Sequence, residues 1–307
     1  MGRKLRLLCA AMTTLLLAGA AHAECSVQRM TTVPITLANN NLLVTVAVNG
    51  QDATFILDTG ADRTLMSEEA VHALGVERSG WVSSAIMGIA GGTQRPDALP
   101  RSLSIGGVAL RRTTLLGDRD VTVGMLPVSE VQGRLVAGML GRDFLAAFDL
   151  DLDMPARRLS LYEVRGCTAG FLPWTRPYAA IPATTPVGTA LVIEVGLDQR
   201  PLRALIDTGA SGSLLVAPGI VRMGLSPAVL AHDPGGNGHG VGPEAVPMHF
   251  HRFVTEQVGS EVIRAPSIWV AAVHVVPIVD MLLGVDWLRS RHVWMSFSTK
   301  QVFVAEP

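Results

Sequence analysis

Apolar and polar residues alternate with a period of two along much of the chain, as in strands that bury one face. "LLVTVAVNGQDATFIL" (42–57) alternates on both sides of Asn49-Gly50, a dipeptide that favours the positive backbone angles of a tight hairpin. "ALVIEVGLDQRPLRALI" (190–206) repeats the pattern with turn residues at its middle. "FDLDLDMPARRLSLY" (148–162) and "VWMSFSTKQVFV" (293–304) read as two further strand pairs. The aspartates of "FDLDLD" are expected to be the solvent-facing side of a strand, since an EF-hand calcium pattern is missing. Helical spacing is rare. "EEAVHALGV" (68–76) and "APGIVRMGL" (217–225) predict short helices that end at Gly75 and Gly224, where glycine accepts a left-handed C-cap.

These segments form one unit written twice. "FILDTGADRT" (55–64) returns as "ALIDTGASGS" (204–213), with Asp58 and Asp207 separated by 149 positions (207 − 58). Measured from these aspartates, Gly75 and Gly224 share an offset of 17 (75 − 58 and 224 − 207). Glycine-rich hairpin candidates follow at 87–94, "MGIAGGTQ", and at 235–242, "GGNGHGVG". "MLGRDFL" (139–145) then matches "LLGVDWL" (282–288). Several offsets agreeing in order make chance similarity a poor account. The expected organisation is mainly β, with one short helix per lobe. An N-terminal lobe spans 31–165, a Pro/Gly-containing connection 166–182, and a C-terminal lobe 183–307.

Composition narrows this picture. Apolar residues make up 49% of 307, enough for sizeable cores, while 31 glycines and 18 prolines fit a turn-rich β protein. Residues 1–23 have the form of a cleaved signal peptide: Arg3, Lys4 and Arg6, an apolar run, then "AHA" before Glu24. The alternative is an uncleaved anchor, but the run is shorter than the ~20 residues a membrane span needs. The mature chain is therefore expected to be periplasmic or secreted, without stable membrane insertion. Removing three basic residues leaves 22 Lys+Arg (25 − 3) against 26 Asp+Glu, a net −4. With no basic block, nucleic acid is not an expected partner. Cys9 leaves with the leader. Cys25 and Cys167 remain, and in an oxidising compartment they are expected to form a disulfide, the alternative being two unpaired thiols.

The repeated Asp-Thr-Gly carries the candidate chemistry. A single copy reads as a strand-to-turn transition whose aspartate satisfies backbone N–H groups. Two copies in a pseudo-twofold pair of units bring two carboxylates to one interface, where both cannot readily ionise. The ionised member can act as general base on a water, and the protonated member can polarise a carbonyl and protonate a leaving amine.

"ILDTGAD" with "MLGRDFL", and "LIDTGAS" with "LLGVDWL", resemble the retropepsin-like aspartic proteases over nearly all of the mature chain. That resemblance implies a bilobal acid-protease fold of two β-barrel lobes related by a pseudo-twofold axis. With both motifs in one chain, it implies a catalytically complete monomer that acts on polypeptide without cofactor or metal. Asp58 and Asp207 would be the catalytic pair. Thr59 and Thr208 would cross-link the turns that also contain Gly60, Ala61, Gly209 and Ala210. The hairpins would be flaps over the cleft, with Gly91 and Gly92 at the first tip and Gly238 in the second. No tyrosine of the pepsin-type flap is present. Asp62 and Arg142 occur together in one lobe and are replaced together by Ser211 and Val285 in the other. They are expected to pair beside the site, the alternative being two unrelated surface charges. His249 and His251 share a strand face but lack a third ligand at motif spacing. The remaining alternative in function is a non-catalytic peptide-binding module on the same scaffold.

Overall fold

A tight turn at Asn49 and Gly50, with φ of +52° and +81°, folds strand Asn41–Val48 back on strand Gln51–Leu57. Val48 faces Gln51 and Leu43 faces Ile56 across the pair. The second half repeats this with Val192–Leu197 and Arg200–Ile206, turning at Asp198 and Gln199, both at positive φ. The computed structural model describes residues 24–110, 121–123, 130–131, 133–240, 244–275 and 278–306. The leader at 1–23 lies outside the described residues.

Each half then makes the same crossing. Strand Gly138–Leu140 runs parallel to Gln51–Leu57 and antiparallel to Leu65–Met66, so it inserts between them. Strand Met281–Leu283 inserts in the same way between Arg200–Ile206 and Leu214–Leu215. Hydrophobic side chains close around these crossings. Phe55, Leu57 and Leu140 in one half, and Ile206, Leu215 and Leu283 in the other, are at most 1% exposed. This is the mainly β, bilobal acid-protease architecture.

Helix Glu68–Ala73 is capped at its start by the Ser67 hydroxyl and is followed by Gly75 at φ +60°. Helix Ala217–Met223 carries Pro218 in its first turn and ends on Gly224 at φ +71°. One helix per lobe undercounts the described residues. Single-turn helices also form at Arg142–Leu145, Pro227–Leu230 and Val285–Leu288. Those at 142 and 285 curl up directly after the crossing strands, where four residues are too few to show a helical period.

The halves share a sheet. Ser26–Pro34, Arg158–Arg165, Asp149–Asp153, His292–Ser296, Gln301–Ala305 and Tyr178–Thr184 are adjacent in that order. The seam is the antiparallel pair of Asp149–Asp153 with His292–Ser296. The first strand thus starts upstream of residue 31, and the last begins inside the segment read as a connection.

"FDLDLD" departs from its expectation. Asp149 and Asp151 are buried. Asp149 accepts from Trp294 Nε1 at 3.1 Å, Ser296 Oγ at 2.6 Å and Ser298 N at 3.0 Å. Asp151 accepts from Trp174 Nε1 at 3.2 Å and bonds His292 Nε2 at 2.6 Å. The covering layer is aromatic, with Phe171 and Trp174 of the connection packed on Trp294. Its indole N–H groups and nearby hydroxyls supply the partners that burial of a carboxylate demands.

A Cys25–Cys167 disulfide closes the end of the Ser26–Pro34 and Arg158–Arg165 pair, linking positions 142 apart. Cross-links over loops of this size typically contribute about 2–5 kcal/mol. The double variant Cys25→Ser/Cys167→Ser is expected to lose an amount in that range in urea unfolding, and reductant is expected to lower the wild type alone.

Candidate active site

Strands Gln51–Leu57 and Arg200–Ile206 each end where the backbone meets its inserted neighbour. Asp58 N–H donates to Leu140 O and Asp207 N–H to Leu283 O, both at 3.0 Å. The chain then turns back. Gly60 and Ala61 N–H donate to Asp58 Oδ1 at 2.9 and 2.8 Å. Gly209 and Ala210 N–H donate to Asp207 Oδ1 at 2.9 and 3.1 Å. One oxygen of each carboxylate is therefore held by its own turn.

Two threonines fasten the turns to each other. Thr59 Oγ1 donates to Ile206 O at 2.8 Å and accepts from Thr208 N–H at 3.0 Å. Thr208 Oγ1 donates to Leu57 O at 2.8 Å and accepts from Thr59 N–H at 2.9 Å. Both threonines are buried. The glycines make the approach sterically possible. A Cβ on Gly60 would lie 2.4 Å from Asp207 Cγ, and one on Gly209 would lie 2.3 Å from Asp58 Cγ. Each carboxylate occupies the space that the other turn leaves by having glycine there.

The electrostatics follow from this proximity. Asp58 and Asp207 are 6% and 9% exposed. Burial, and then the charge of Asp207, push Asp58 up to about 7, against the pull of the Ala61 and Gly60 N–H groups and of Arg142. Burial also raises Asp207, opposed by the N–H groups of Gly209 and Ala210, by Arg142 and by a hydrogen bond with Asp58. The pair can therefore hold one shared proton near neutrality, titrating as a unit.

Arg142 and Asp62 meet beside the Asp58 turn. The Arg142 guanidinium is buried. Nη1 donates to Thr59 O at 2.8 Å and Gly60 O at 2.9 Å, and Nη2 donates to Asp62 Oδ1. The other lobe has Val285 and Ser211 at these places, with only the backbone bond of Val285 N–H to Ala210 O, 2.9 Å, corresponding to Arg142 N–H on Ala61 O.

The first hairpin places Gly91 and Gly92 at the start of the return strand. The turn is made by Ile89 and Ala90, with Gly91 at φ +104° paired to Gly88 and Gly92 opposite Met87. Gly238 ends the ladder of strand Gly235–Gly238, opposite Val246. Residues 241–242 of that candidate flap lie outside the described residues. The hairpins touch: a Cβ on Gly240 would lie 2.5 Å from Ile89 Cγ1. His251 is hydrogen-bonded to Asp233 at 2.7 Å, and no cluster of three metal-ligating side chains occurs among the described residues.

Sequence reasoning assigned no role to a second matched set. Thr64 N–H and Oγ1 both donate to Asp143 Oδ1, and Gly141 N–H donates to Thr64 Oγ1. Ser213, Asp286 and Gly284 repeat these bonds. This latch ties each Asp-Thr-Gly turn to the segment after the crossing strand. The signal was present in the duplicated Gly-x-Asp and in a hydroxyl residue six positions after Asp58 and after Asp207 (64 − 58 and 213 − 207).

Two lobes, two crossed strands and two facing carboxylates define an acid-protease scaffold. The family model described as aspartyl protease matches residues 44–144 and again 193–287, more than half of the chain. The chain belongs to the aspartyl protease family. The structure is similar to the crystal structure of an aspartic proteinase from Irpex lacteus, with a TM-score of 0.51 and 11% identity over 91% of this chain and 97% of that one. At that identity the likeness concerns the fold alone. No curated protein matches the sequence significantly.

Thr59→Val or Thr208→Val would leave a buried N–H and a buried carbonyl without partners. A loss of about 2–4 kcal/mol is expected in urea unfolding, with the serine variants losing less. The aspartate pair has the opposite effect near neutral pH. Its raised pKa means that the folded chain binds more protons than the unfolded chain between about pH 4 and 7, so its contribution to stability falls as pH rises through that window. Asp58→Asn keeps an acceptor for Gly60 and Ala61 and removes the titration. It is expected to melt at a higher temperature than wild type at pH 7. The difference should vanish near pH 4, as read by calorimetry across pH.

Proposed function

We propose that the chain is an aspartic endopeptidase that acts outside the cytoplasm and hydrolyses peptide bonds with a water activated between Asp58 and Asp207. The observation that carries the reading is the mutual approach of the two carboxylates, each against the other turn's glycine. In this mechanism Asp207 takes a proton from water as its oxygen attacks the peptide carbonyl carbon, and Asp58 gives its proton to the carbonyl oxygen. The resulting neutral gem-diol collapses when Asp207 returns a proton to the amide nitrogen and Asp58 recovers one from a hydroxyl. The C–N bond breaks, and the pair again holds one proton. The chemistry requires no cofactor, and one chain supplies both aspartates, consistent with a working monomer.

Thr59, Thr208 and the four N–H donors keep the pair in place without reorganisation, which is where the scaffold contributes to rate. The hairpin tips at Ile89–Ala90 and Gly240 serve as the cover that excludes water from a bound polypeptide. The signal-like segment ending at Ala23 and the Cys25–Cys167 disulfide support a periplasmic or secreted location.

Asp58→Asn and Asp207→Asn are each expected to reduce kcat on a peptide-library substrate by at least about 10³-fold, the scale of lost acid–base catalysis. Circular dichroism should remain that of the wild type. Undiminished turnover in either variant would overturn the reading, and peptide binding without cleavage by the wild type would favour the binding-module alternative.

A further inference from the structure

The two catalytic turns match in their backbone bonds, their threonines and their Gly-x-Asp latches, and differ in one charged pair. Arg142 is 3% exposed and committed to Thr59 O, Gly60 O and one oxygen of Asp62, whereas the Asp62 side chain is 74% exposed. Its anchoring is therefore one-sided: a buried guanidinium fixes Oδ1, and among the described residues nothing else donates to this carboxylate. A cavity of about 520 Å³ opens at the same place. It is lined by Asp62, Arg142 and Asp143 from the N-terminal half and by Val187, Gly188 and Thr189 from the C-terminal half, so it crosses the lobe boundary. Arg142, in the cavity wall, donates to Thr59 O and Gly60 O of the Asp58 turn, which puts the cavity beside the reacting centre.

Among the described residues the charged side chains lining this space are the carboxylates of Asp62 and Asp143 and the guanidinium of Arg142. The guanidinium is spent on the turn, and Asp143 accepts from Thr64 through Oδ1. Arg142 engages one oxygen of Asp62, and the exposed remainder of that carboxylate is what can meet a ligand. Ala146, Ala147 and Val187 add apolar wall, which suits the aliphatic stem of a long basic side chain with its head at Asp62. Arg63, the nearest basic neighbour in sequence, directs Nη1 to Ser84 Oγ on the first flap. At the mirrored place in the other lobe, Ser211 and Val285 offer no charge.

We propose that Asp62 is a specificity-determining residue that selects substrates carrying a cationic group on the N-terminal-lobe side of the scissile bond. The inference rests on the aspartic-endopeptidase reading. The cation has two possible sources, a lysine or arginine side chain and the free α-amine of a short peptide. A purely structural ion pair predicts something different, because its loss would slow all substrates alike.

The test uses the mature chain and a peptide that it cleaves, chosen from a library. Lysine, norleucine and glutamate are placed in turn at each position within four residues of the scissile bond, with the N-terminus acetylated or free. The expected result is one position, on one side only, where lysine exceeds norleucine at least tenfold in kcat/KM. Asp62→Asn should bring that ratio close to one, and Asp62→Glu should restore most of it. A preference that follows lysine in acetylated peptides assigns the side chain, and one that needs the free terminus assigns the α-amine. Cleavage with a ratio near one at every position, an unchanged ratio in Asp62→Asn, or an equal loss on lysine and norleucine peptides overturns the inference and leaves the endopeptidase reading standing. Failure of the wild type to cleave any library member would overturn both.

Discussion

The structure depends on the reciprocal bond between Thr59 and Thr208. Each hydroxyl donates to a carbonyl of the opposite strand and accepts an N–H from the opposite turn. The four bonds are buried, where an unmade bond is costly, so the two strand ends have one low-energy arrangement. Everything that brings Asp58 and Asp207 together follows from it. The carboxylates are neighbours because the threonines beside them are cross-linked, and the glycines are required because the cross-link leaves no room for a Cβ.

A second constraint acts from below. The inserted strands accept the Asp58 and Asp207 N–H groups, and the latches at Asp143 and Asp286 hold the turns from the far side. Each aspartate thus sits on a backbone fixed in both directions and accepts two N–H bonds from its own turn. These donors partly offset the desolvation that raises both carboxyls. The site stores an unfavourable electrostatic situation that the surrounding hydrogen bonds stabilise, as expected where burial shifts acidity towards neutral pH.

Much of this was legible in the sequence because it was written twice. Alternation located the hairpins, and Asn49-Gly50 and the glycines at 75 and 224 located the turns, since each needs a backbone conformation that few residues adopt. Duplication converted two ordinary tripeptides into one candidate site. What was not legible depends on contacts between distant segments. Asp149 and Asp151 read as a wet strand face because their partners, Trp294, Ser296 and His292, lie more than 140 positions away. The turn at Ile89 and Ala90 was displaced by the pull of the neighbouring glycines on the reading, although only Gly91 adopts the positive φ. The helices at 142 and 285 are too short for a period to appear.

The seam between Asp149–Asp153 and His292–Ser296 has a consequence for how the chain is made. Synthesis delivers the first of these strands long before the second, so its outer edge waits without a partner until the chain is nearly finished. An unpaired strand edge invites pairing with another molecule, and alternating charge is a common defence against it. Asp149, Asp151 and Asp153 supply that charge during the wait. In the finished protein the first two pass into a dry aromatic layer, where Trp294, Ser296, Trp174 and His292 bond them. The same carboxylates that would charge an unpaired edge are, in the finished protein, the rivets that close its two halves.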